Sequence, residues 1–253
     1  MSHQLLDWID ESKLNWDYLC DNYNAVNYLK KNFNPDKICW RNLSENSGAI
    51  EILENNLDKV SWDELSSNSC AIHILEKNLD KINWEQLSFN PKALHLLENN
   101  QDKIHWDYLT TNINATHLLE KNTDKFNWSM LSWNKNSISL LENNFDKINW
   151  DCLSSNTSAI HLLEKYPEKI NWSALSSNTE AIKLLENNLD KICWKTLSTN
   201  YNAIGLLEKN QDKINWDSLS INPNAIDLLE KNQDKINWDG ISINQSIFKP
   251  LHI

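Results

Sequence analysis

The chain has 253 residues, a formal net charge of −11 and only 3 Gly, whereas 13 of its residues are Trp. So few glycines argue against a glycine-rich phosphate-binding loop, and the many Trp residues argue against a disordered chain. The negative charge disfavours nucleic acid and anionic membrane surfaces as partners, because affinity for both depends on Lys and Arg.

Localisation is predicted from the start of the chain, its hydropathy and its cysteines. Residues 1–12 do not resemble an export signal, and no apolar stretch approaches the roughly 18 residues that span a bilayer. Five cysteines form an odd set without a CxxC motif, which favours reduced thiols. We therefore expect a soluble cytoplasmic protein. The cysteines are Cys20, Cys39, Cys70, Cys152 and Cys193.

A tandem repeat organises the whole chain. From Trp40 onward a Trp recurs every 22 residues, and Trp16 precedes the series. Such a period predicts an all-α solenoid, a superhelix of about eleven short helix-turn-helix repeats stacked as one continuous domain. Residues 1–15 form an N-terminal capping half-repeat, residues 16–237 form ten full copies, and residues 238–253 form a truncated capping copy. The Trp series is Trp40, Trp62, Trp84, Trp106, Trp128, Trp150, Trp172, Trp194, Trp216 and Trp238.

Each repeat begins with a first helix, helix A, that starts at Trp, which we number position 1. Asn is frequent at position 22, immediately before the next Trp, and is a favoured N-cap residue. We expect the Trp column to lie in the structural core, with each indole N–H hydrogen-bonded.

A second helix, helix B, follows in each repeat. Apolar residues at positions 10, 11, 13 and 14 predict a helix buried on two sides, as stacking requires. Position 7 is always Asn, which predicts an N-cap and a ladder of buried amides that satisfies backbone groups. Asn at position 17 predicts a left-handed residue that ends the helix. The position-7 residues include Asn46, Asn68, Asn90, Asn112, Asn134, Asn156, Asn178, Asn200 and Asn222.

The chain ends are expected to cap the array. The half copy Leu5–Asn15 imitates the second half of a repeat, and Pro250 interrupts helix B of the last copy. Because each end lacks one neighbour, exposed ends or flanks provide a route to a homodimer.

Two phrases, LLEKNLDKINWEQLSFNP and AIDLLEKNQDKINWD, carry a resemblance. They resemble short tandem repeats rich in Trp, Asn and Asp-Lys in proteins of amoeba-infecting giant DNA viruses. The ending SINQSIF is similar to an element that terminates such arrays, with Gln245 where Pro is usual. The resemblance implies a viral protein, in the host cytoplasm or the virion, and carries over no reaction or ligand.

Charged residues recur with the repeat. An acid at position 19, Lys at position 20 and Glu at position 15 predict an ionic network along one ridge. Position 12 carries His73, His95 and His117 in successive copies, on the solvent face of helix B. Equivalent residues of stacked repeats are roughly 10 Å apart, too far for one metal ion. A pH-responsive stripe and a plain variable surface remain open.

Function is expected where the repeats differ. Positions 3 and 6 share one face of helix A, and in the central repeats they carry Phe89, Tyr108, Met130 and Trp133. An exposed aromatic and Met cluster is typical of a partner-binding hot spot, although local variation in packing is the alternative.

The chain contains none of the common catalytic motifs, so we predict a non-enzyme with no catalytic residues, metal or cofactor. The favoured interpretation is a scaffold that binds a protein through variable repeat positions, including the His73, His95 and His117 row. The alternative is a self-associating structural component of a virus particle.

A single repeat is predicted to be unfolded in isolation. Its helices are about one and a half and two and a half turns long, too short to persist in water without neighbours. A synthetic peptide spanning residues 106–127 should therefore show a coil spectrum by circular dichroism. A helical spectrum for that peptide would contradict the dependence on stacking.

Overall fold

The computed structural model of the protein describes residues 3–250, and it has an all-α helical-repeat solenoid fold. Two short helices recur along the repeats. Helix A has four to six residues, as its predicted length indicates, whereas helix B is shorter than predicted. The A helices are α1 (Trp16–Asp21), α3 (Trp40–Glu45), α5 (Trp62–Ser67), α7 (Trp84–Phe89), α9 (Trp106–Leu109), α11 (Trp128–Leu131), α13 (Trp150–Ser154), α15 (Trp172–Leu175), α17 (Trp194–Leu197), α19 (Trp216–Ile221) and α21 (Trp238–Ile243). The B helices are α2 (Val26–Lys31), α4 (Ile50–Glu54), α6 (Ile72–Leu75), α8 (Leu94–Glu98), α10 (Thr116–Glu120), α12 (Ile138–Glu142), α14 (Ile160–Lys165), α16 (Ile182–Glu186), α18 (Ile204–Glu208) and α20 (Ile226–Glu230).

Short 3-10 turns and one small sheet complete the secondary structure. Strands β1 (His3–Leu5) and β2 (Phe248–Pro250) pair in an antiparallel arrangement. Most of the turns contain the Asp-Lys pair or precede helix B. They are Glu11–Lys13, Tyr23–Ala25, Leu79–Lys81, Gln101–Lys103, Phe145–Lys147, Thr157–Ala159, Pro167–Lys169, Leu189–Lys191, Gln211–Lys213, Pro223–Ala225, Gln233–Lys235 and Gln245–Ile247.

Contacts divide the repeats into two compact units. The first unit comprises Met1–Lys81 and Asn210–Ile253, and the second comprises Ile82–Lys209. In the first unit α1 packs against both α3 and α21; in the second, α7 packs against α9 and α13 against α15. Over residues 3–250, none of the helices has the length and apolar character needed to cross a membrane.

Helix A starts as predicted. The position-22 Asn accepts a backbone N–H of the first turn in seven repeats, as Asn83 does from Glu85 and Gln86. Ser at position 5 then joins consecutive A helices. The Ser44 hydroxyl donates to the Trp40 carbonyl over 2.6 Å and accepts the Ser61 N–H over 3.0 Å. This serine therefore fixes where the next helix begins.

The predicted ladder of buried Asn is confirmed at position 7. In all eleven copies the side-chain oxygen accepts the N–H two residues further on, and in nine copies the amide donates to backbone carbonyls of the preceding repeat. Asn178, for example, donates to Ser154 over 3.1 Å and to Asn156 over 3.0 Å. One side chain thus joins its own turn to the neighbouring repeat.

The predicted start of helix B is wrong by three residues. Position-7 Asn caps a turn, and the α-helix begins at position 11, after an Ala at position 10 that makes no side-chain cap. In the Asn222 copy this turn is the 3-10 turn Pro223–Ala225, with Pro at its start. The tighter turn carries the chain directly from helix A into helix B, which leaves only four to six residues for the α-helix.

The predicted left-handed end of helix B is also wrong. Among the described residues no backbone φ is positive. Instead, the position-17 Asn side chain donates to the carbonyl four residues earlier in eight copies, as from Asn56 to Ile52 over 2.8 Å. The amide therefore satisfies an orphan carbonyl at the helix end directly, which removes the need for a left-handed residue.

The core consists of small and aliphatic residues with the polar ladder beside them. Leu at position 4, Ala at position 10 and Leu at position 14 are buried, for example Leu65, Ala71 and Leu75, together with the serine and asparagine of positions 5 and 7. The Trp column differs from the prediction, because every periodic Trp is only half-buried. The indole covers the edge of the core, and its outer face is available to other groups.

The two ends of the described chain contact each other, so the expected exposed ends are wrong. β1 and β2 pair with His3 opposite Pro250 and Leu5 opposite Phe248, and the Leu6 N–H donates to the Ile247 carbonyl over 2.8 Å. The interruption predicted at Pro250 is thus a strand. The predicted caps also include residues 1–2 and 251–253, which lie outside the described residues.

Together these ends complete one repeat. The Ser242 hydroxyl accepts the Asn15 N–H over 2.9 Å, the bond that position 5 makes to position 22 elsewhere. Asn22 donates to Ser242 and Asn244, and the Lys13 ammonium lies 4.8 Å from the Trp238 ring. The C-terminal segment supplies helix A, and the N-terminal segment supplies the second half. The same polar contacts therefore operate where the chain is discontinuous.

Replacing Asn22 by Ala should destabilise the protein as much as replacing Asn178 by Ala. Each change removes an Asx turn and leaves buried carbonyls without donors, so we expect a loss of about 2–4 kcal/mol in the free energy of unfolding. Urea denaturation followed by circular dichroism measures both variants. A loss of only about 1 kcal/mol for Asn22→Ala, as for a cap alone, would contradict the junction between the ends.

Candidate functional site

The exposed face of the A helices carries the variable positions 3 and 6. Position 3 of one repeat lies against positions 2 and 6 of the repeat before it. The Asn42 side chain donates to the Asp17 carbonyl over 2.9 Å, and a Cβ atom at Gly240 would stand 3.3 Å from Cγ1 of Ile221. Within each unit, residues at these positions in neighbouring repeats are therefore expected to form a line along the A helices.

In the second unit this line contains the four residues singled out from the sequence. Phe89 and Trp133 at position 6 are 50% and 51% exposed, whereas Tyr108 and Met130 at position 3 are half-buried. Position 3 of each repeat follows position 6 of the repeat before it. Tyr108 therefore comes after Phe89 along the line, and Thr111, Met130 and Trp133 come next. Four apolar side chains thus belong to one face, with a single Thr among them.

Tyr108 is oriented by polar contacts. A hydrogen bond to Glu85, together with the negative charge of that residue, raises the pKa of Tyr108. The Tyr108 ring also packs on His105, with ring centroids 4.5 Å apart. The phenol is therefore held in a defined position as a neutral hydrogen-bonding group with an apolar ring.

The histidine row lies on another surface. His73, His95 and His117 are exposed on helix B, away from the four aromatic and Met residues in the repeat. The Nε2 atom of His73 lies 2.6 Å from Glu54 and that of His117 lies 2.9 Å from Glu98, both carboxylates being in the preceding repeat. His161 pairs in the same way with Glu142. His73, His117 and His161 therefore each pair with a glutamate of the preceding repeat.

The predicted ridge of Asp, Lys and Glu is corrected by the position of the lysines. Position-20 Lys lies over the half-buried Trp in eight described cases, with distances of 4.4 Å for Lys103 and Trp84 and for Lys235 and Trp216. Such a contact stabilises by about 0.5–1 kcal/mol at an exposed site. In three described cases the Glu at position 15 pairs with the His at position 12 of the next repeat. The recurrent charges therefore support stacking.

The first unit contains a groove that the sequence did not predict. Tyr18, Ile221 and Ile243 occupy positions 3 and 6, and together with Asp217, Asp239 and Gly240 they line a cavity of about 340 Å³. Tyr18 and Ile243 are adjacent only because the ends of the chain meet. Tyr18 and Ile243 occupy the variable positions 3 and 6, which is a sequence signal for this surface. The sequence does not show, however, that these two residues lie on the same surface.

Two acids continue the same face in the first unit. Asp21 and Glu45, at position 6 of consecutive repeats, line a shallow cavity of about 310 Å³ with Asn46. Burial of the carboxyl group, and secondarily the negative charge of Glu45, raises the pKa of Asp21 to about 6. The folded protein therefore keeps a proton on Asp21 to a higher pH than the unfolded chain does.

The remaining reactive side chains do not converge. Within residues 3–250, no group of three or more His, Cys, Asp and Glu residues has an arrangement that would hold a metal ion. The five cysteines are free thiols. Burial raises the pKa of Cys20 to about 12, whereas hydrogen bonds from Thr196 lower the pKa of Cys193.

No protein-family model, no curated protein and no solved structure matches this chain.

Replacing Asp21 by Asn should stabilise the protein at pH 7.5 but not near pH 4. In the unfolded chain this carboxyl group titrates near pH 3.9, so raising the folded-state pKa destabilises the fold once the group ionises. The penalty is absent below about pH 4 and complete above about pH 6. Because solvent screens the site, we expect a gain of about 1 kcal/mol or less at pH 7.5. Urea denaturation at both pH values measures it, and a gain independent of pH would contradict the assignment.

Proposed function

We propose that the protein is a non-enzymatic scaffold that binds a protein partner through the exposed face of its A helices. The partner surface in the second unit consists of Phe89, Tyr108, Met130 and Trp133. The observation that carries this proposal is the half-exposure of two large aromatic residues at the same repeat position, two repeats apart.

Energetic considerations support this surface. An exposed Phe or Trp stabilises the folded chain less than a buried one, whereas burial against a partner removes a large apolar area from water. Interface hot spots are enriched in Trp and Tyr. Because the recurrent Trp, Asn and Ser residues are used in stacking, they can remain the same while positions 3 and 6 change. The repeat thus separates the residues for folding from those for recognition.

The charge of the chain supports a protein partner over nucleic acid or an anionic membrane. The formal net charge is −11, and these polyanions are bound chiefly through Lys and Arg. The regularity of the repeated Ser, His and carboxylate groups supports a role outside catalysis, because an active site requires a local exception to the repeat.

We further propose a viral origin, supported by the Trp, Asn and Asp-Lys pattern and its resemblance to repeats of giant DNA viruses. The proposed location is the host cytoplasm, with the virion as the other possibility. Self-association as a structural component is the competing function. Since the ends of the chain contact each other, self-association would have to use the flanks of the repeats.

Replacing Phe89, Tyr108 and Trp133 together by Ser should abolish partner capture while leaving the fold intact. All three side chains lie at least partly outside the core, and loss of hot-spot aromatics weakens binding by at least about tenfold. The measurement is quantitative affinity capture from lysate of virus-infected amoebae, with circular dichroism to check folding.

The matched control is Leu189→Ser, which removes an apolar side chain of similar exposure, 42%, from position 18 of the same unit. This variant should capture the partner as the original protein does. Equal capture by the triple variant would reject the surface. Light scattering after gel filtration tests the competing function, which predicts a dimer or larger oligomer; a strictly monomeric protein would reject it.

A further inference from the structure

The groove in the first unit has apolar walls. Ile221 is 43% exposed and Tyr18 is 37% exposed, and half-buried Ile243 lies with them in the lining. Tyr18 comes from the first full repeat, whereas both Ile residues come from the last two. The contact between the ends of the chain therefore assembles this groove.

A glycine forms part of the groove floor. Gly240 is buried and occupies position 3, where the other ten copies carry a side chain. A Cβ atom there would stand 3.3 Å from both Ile221 Cγ1 and Ser220 Cβ, which is already a tight contact. The glycine keeps open a space that a larger residue would fill, and its backbone φ is not positive. The missing side chain of Gly240 therefore contributes to the open volume of the groove.

Two carboxylates lie along the groove and are held in place. Asp217 accepts the Asn237 side-chain amide over 3.0 Å, and Asp239 accepts that of Asn15 over 2.9 Å. Each aspartate is exposed and retains a second oxygen. Packed helices are about 8–10 Å apart, so the two carboxylates are separated by roughly that distance.

We propose that this groove binds an extended, basic segment of a partner protein, with two cationic side chains three residues apart. Their aliphatic stems lie on Ile221 and Ile243, one cation lies against the Tyr18 ring, and the cations reach Asp217 and Asp239. The proposal rests on the proposed protein-binding function, and it adds a second surface and the chemistry of its ligand.

Spacing and charge favour this ligand. In a polyproline II conformation residues three apart lie on the same side and are separated by about 9 Å, which matches the repeat spacing. Acids continue the face at Asp21 and Glu45, so a basic chain is attracted beyond the groove itself. An acidic or neutral apolar peptide would offer no cation to the second oxygen of either carboxylate.

The test uses the full chain and a fluorescein-labelled peptide, Arg-Pro-Pro-Arg-Pro-Pro, in a fluorescence anisotropy titration at low salt. The protein should bind this peptide but not Glu-Pro-Pro-Glu-Pro-Pro. Asp217→Asn and Asp239→Asn should each weaken binding roughly two- to fivefold, because each removes one exposed ion pair. Both changes keep the oxygen that accepts the neighbouring amide.

Asp151→Asn is the matched control. Asp151 accepts the Asn171 amide over 2.9 Å in the same repeat position, but position 6 of its repeat carries Ser155, where Ile221 stands in the repeat of Asp217. This variant should bind the peptide with unchanged affinity. Ile221→Ser tests the apolar wall without altering charge, and it should also weaken binding.

Absent binding to the original protein, or equal weakening by Asp151→Asn, would overturn the proposal. Dimerisation that Ile221→Ser prevents would assign the groove to a second copy of the chain and would also overturn it. Neither result affects capture through Phe89, Tyr108 and Trp133, so failure here is distinguishable from failure of the proposed scaffold function.

Discussion

The position-7 amide is the contact on which every repeat depends. Its oxygen closes a turn at the start of the second half of a repeat, and its nitrogen donates to carbonyls of the preceding repeat, as in Asn178. Both functions require one planar group with a donor and an acceptor on opposite sides. Three similar residues would each fail in one respect. Ser lacks the donor geometry of a planar amide, Asp carries a charge, and Gln has a longer side chain. Invariant Asn follows from that double requirement.

The half-buried Trp column shows how a repeat manages its outer edge. A fully buried indole would need a larger core than two helices of four to six residues provide. Instead, one face of the ring covers the aliphatic core and the other receives the position-20 Lys, as for Lys103 over Trp84. The recurrent Lys of the Asp-Lys pattern thus makes a cation–π contact in eight described cases. Residues that look like a charged ridge contribute to packing.

The proposed recognition surfaces and the residues that build the fold occupy different positions of the same 22-residue unit. Stacking requires positions 1, 4, 5, 7, 10 and 14, whereas positions 3 and 6 meet solvent along the A helices. Their content differs between the two units: large apolar residues around Trp133 in one, and Tyr18, Ile221 and acids in the other. The same repeat positions therefore carry two chemically distinct sets of side chains, on which the two proposed binding surfaces are based.

The sequence by itself determined the repeat, the two-helix unit, the capping of helix A, the buried Asn ladder and the exposed position of Phe89 and Trp133. Each of these depends on contacts within one repeat or between neighbours, which a 22-residue period reports directly. Tertiary structure decided the 3-10 turn before helix B, the side-chain cap of Asn56, the lysines over Trp and the groove at Tyr18. For the 3-10 turn, the Asn56 cap and the lysines, several alternative polar contacts are compatible with the sequence, and the packing of the folded chain decides among them. The groove depends on Ser242 accepting the Asn15 N–H across 227 positions, a pairing that no local pattern encodes.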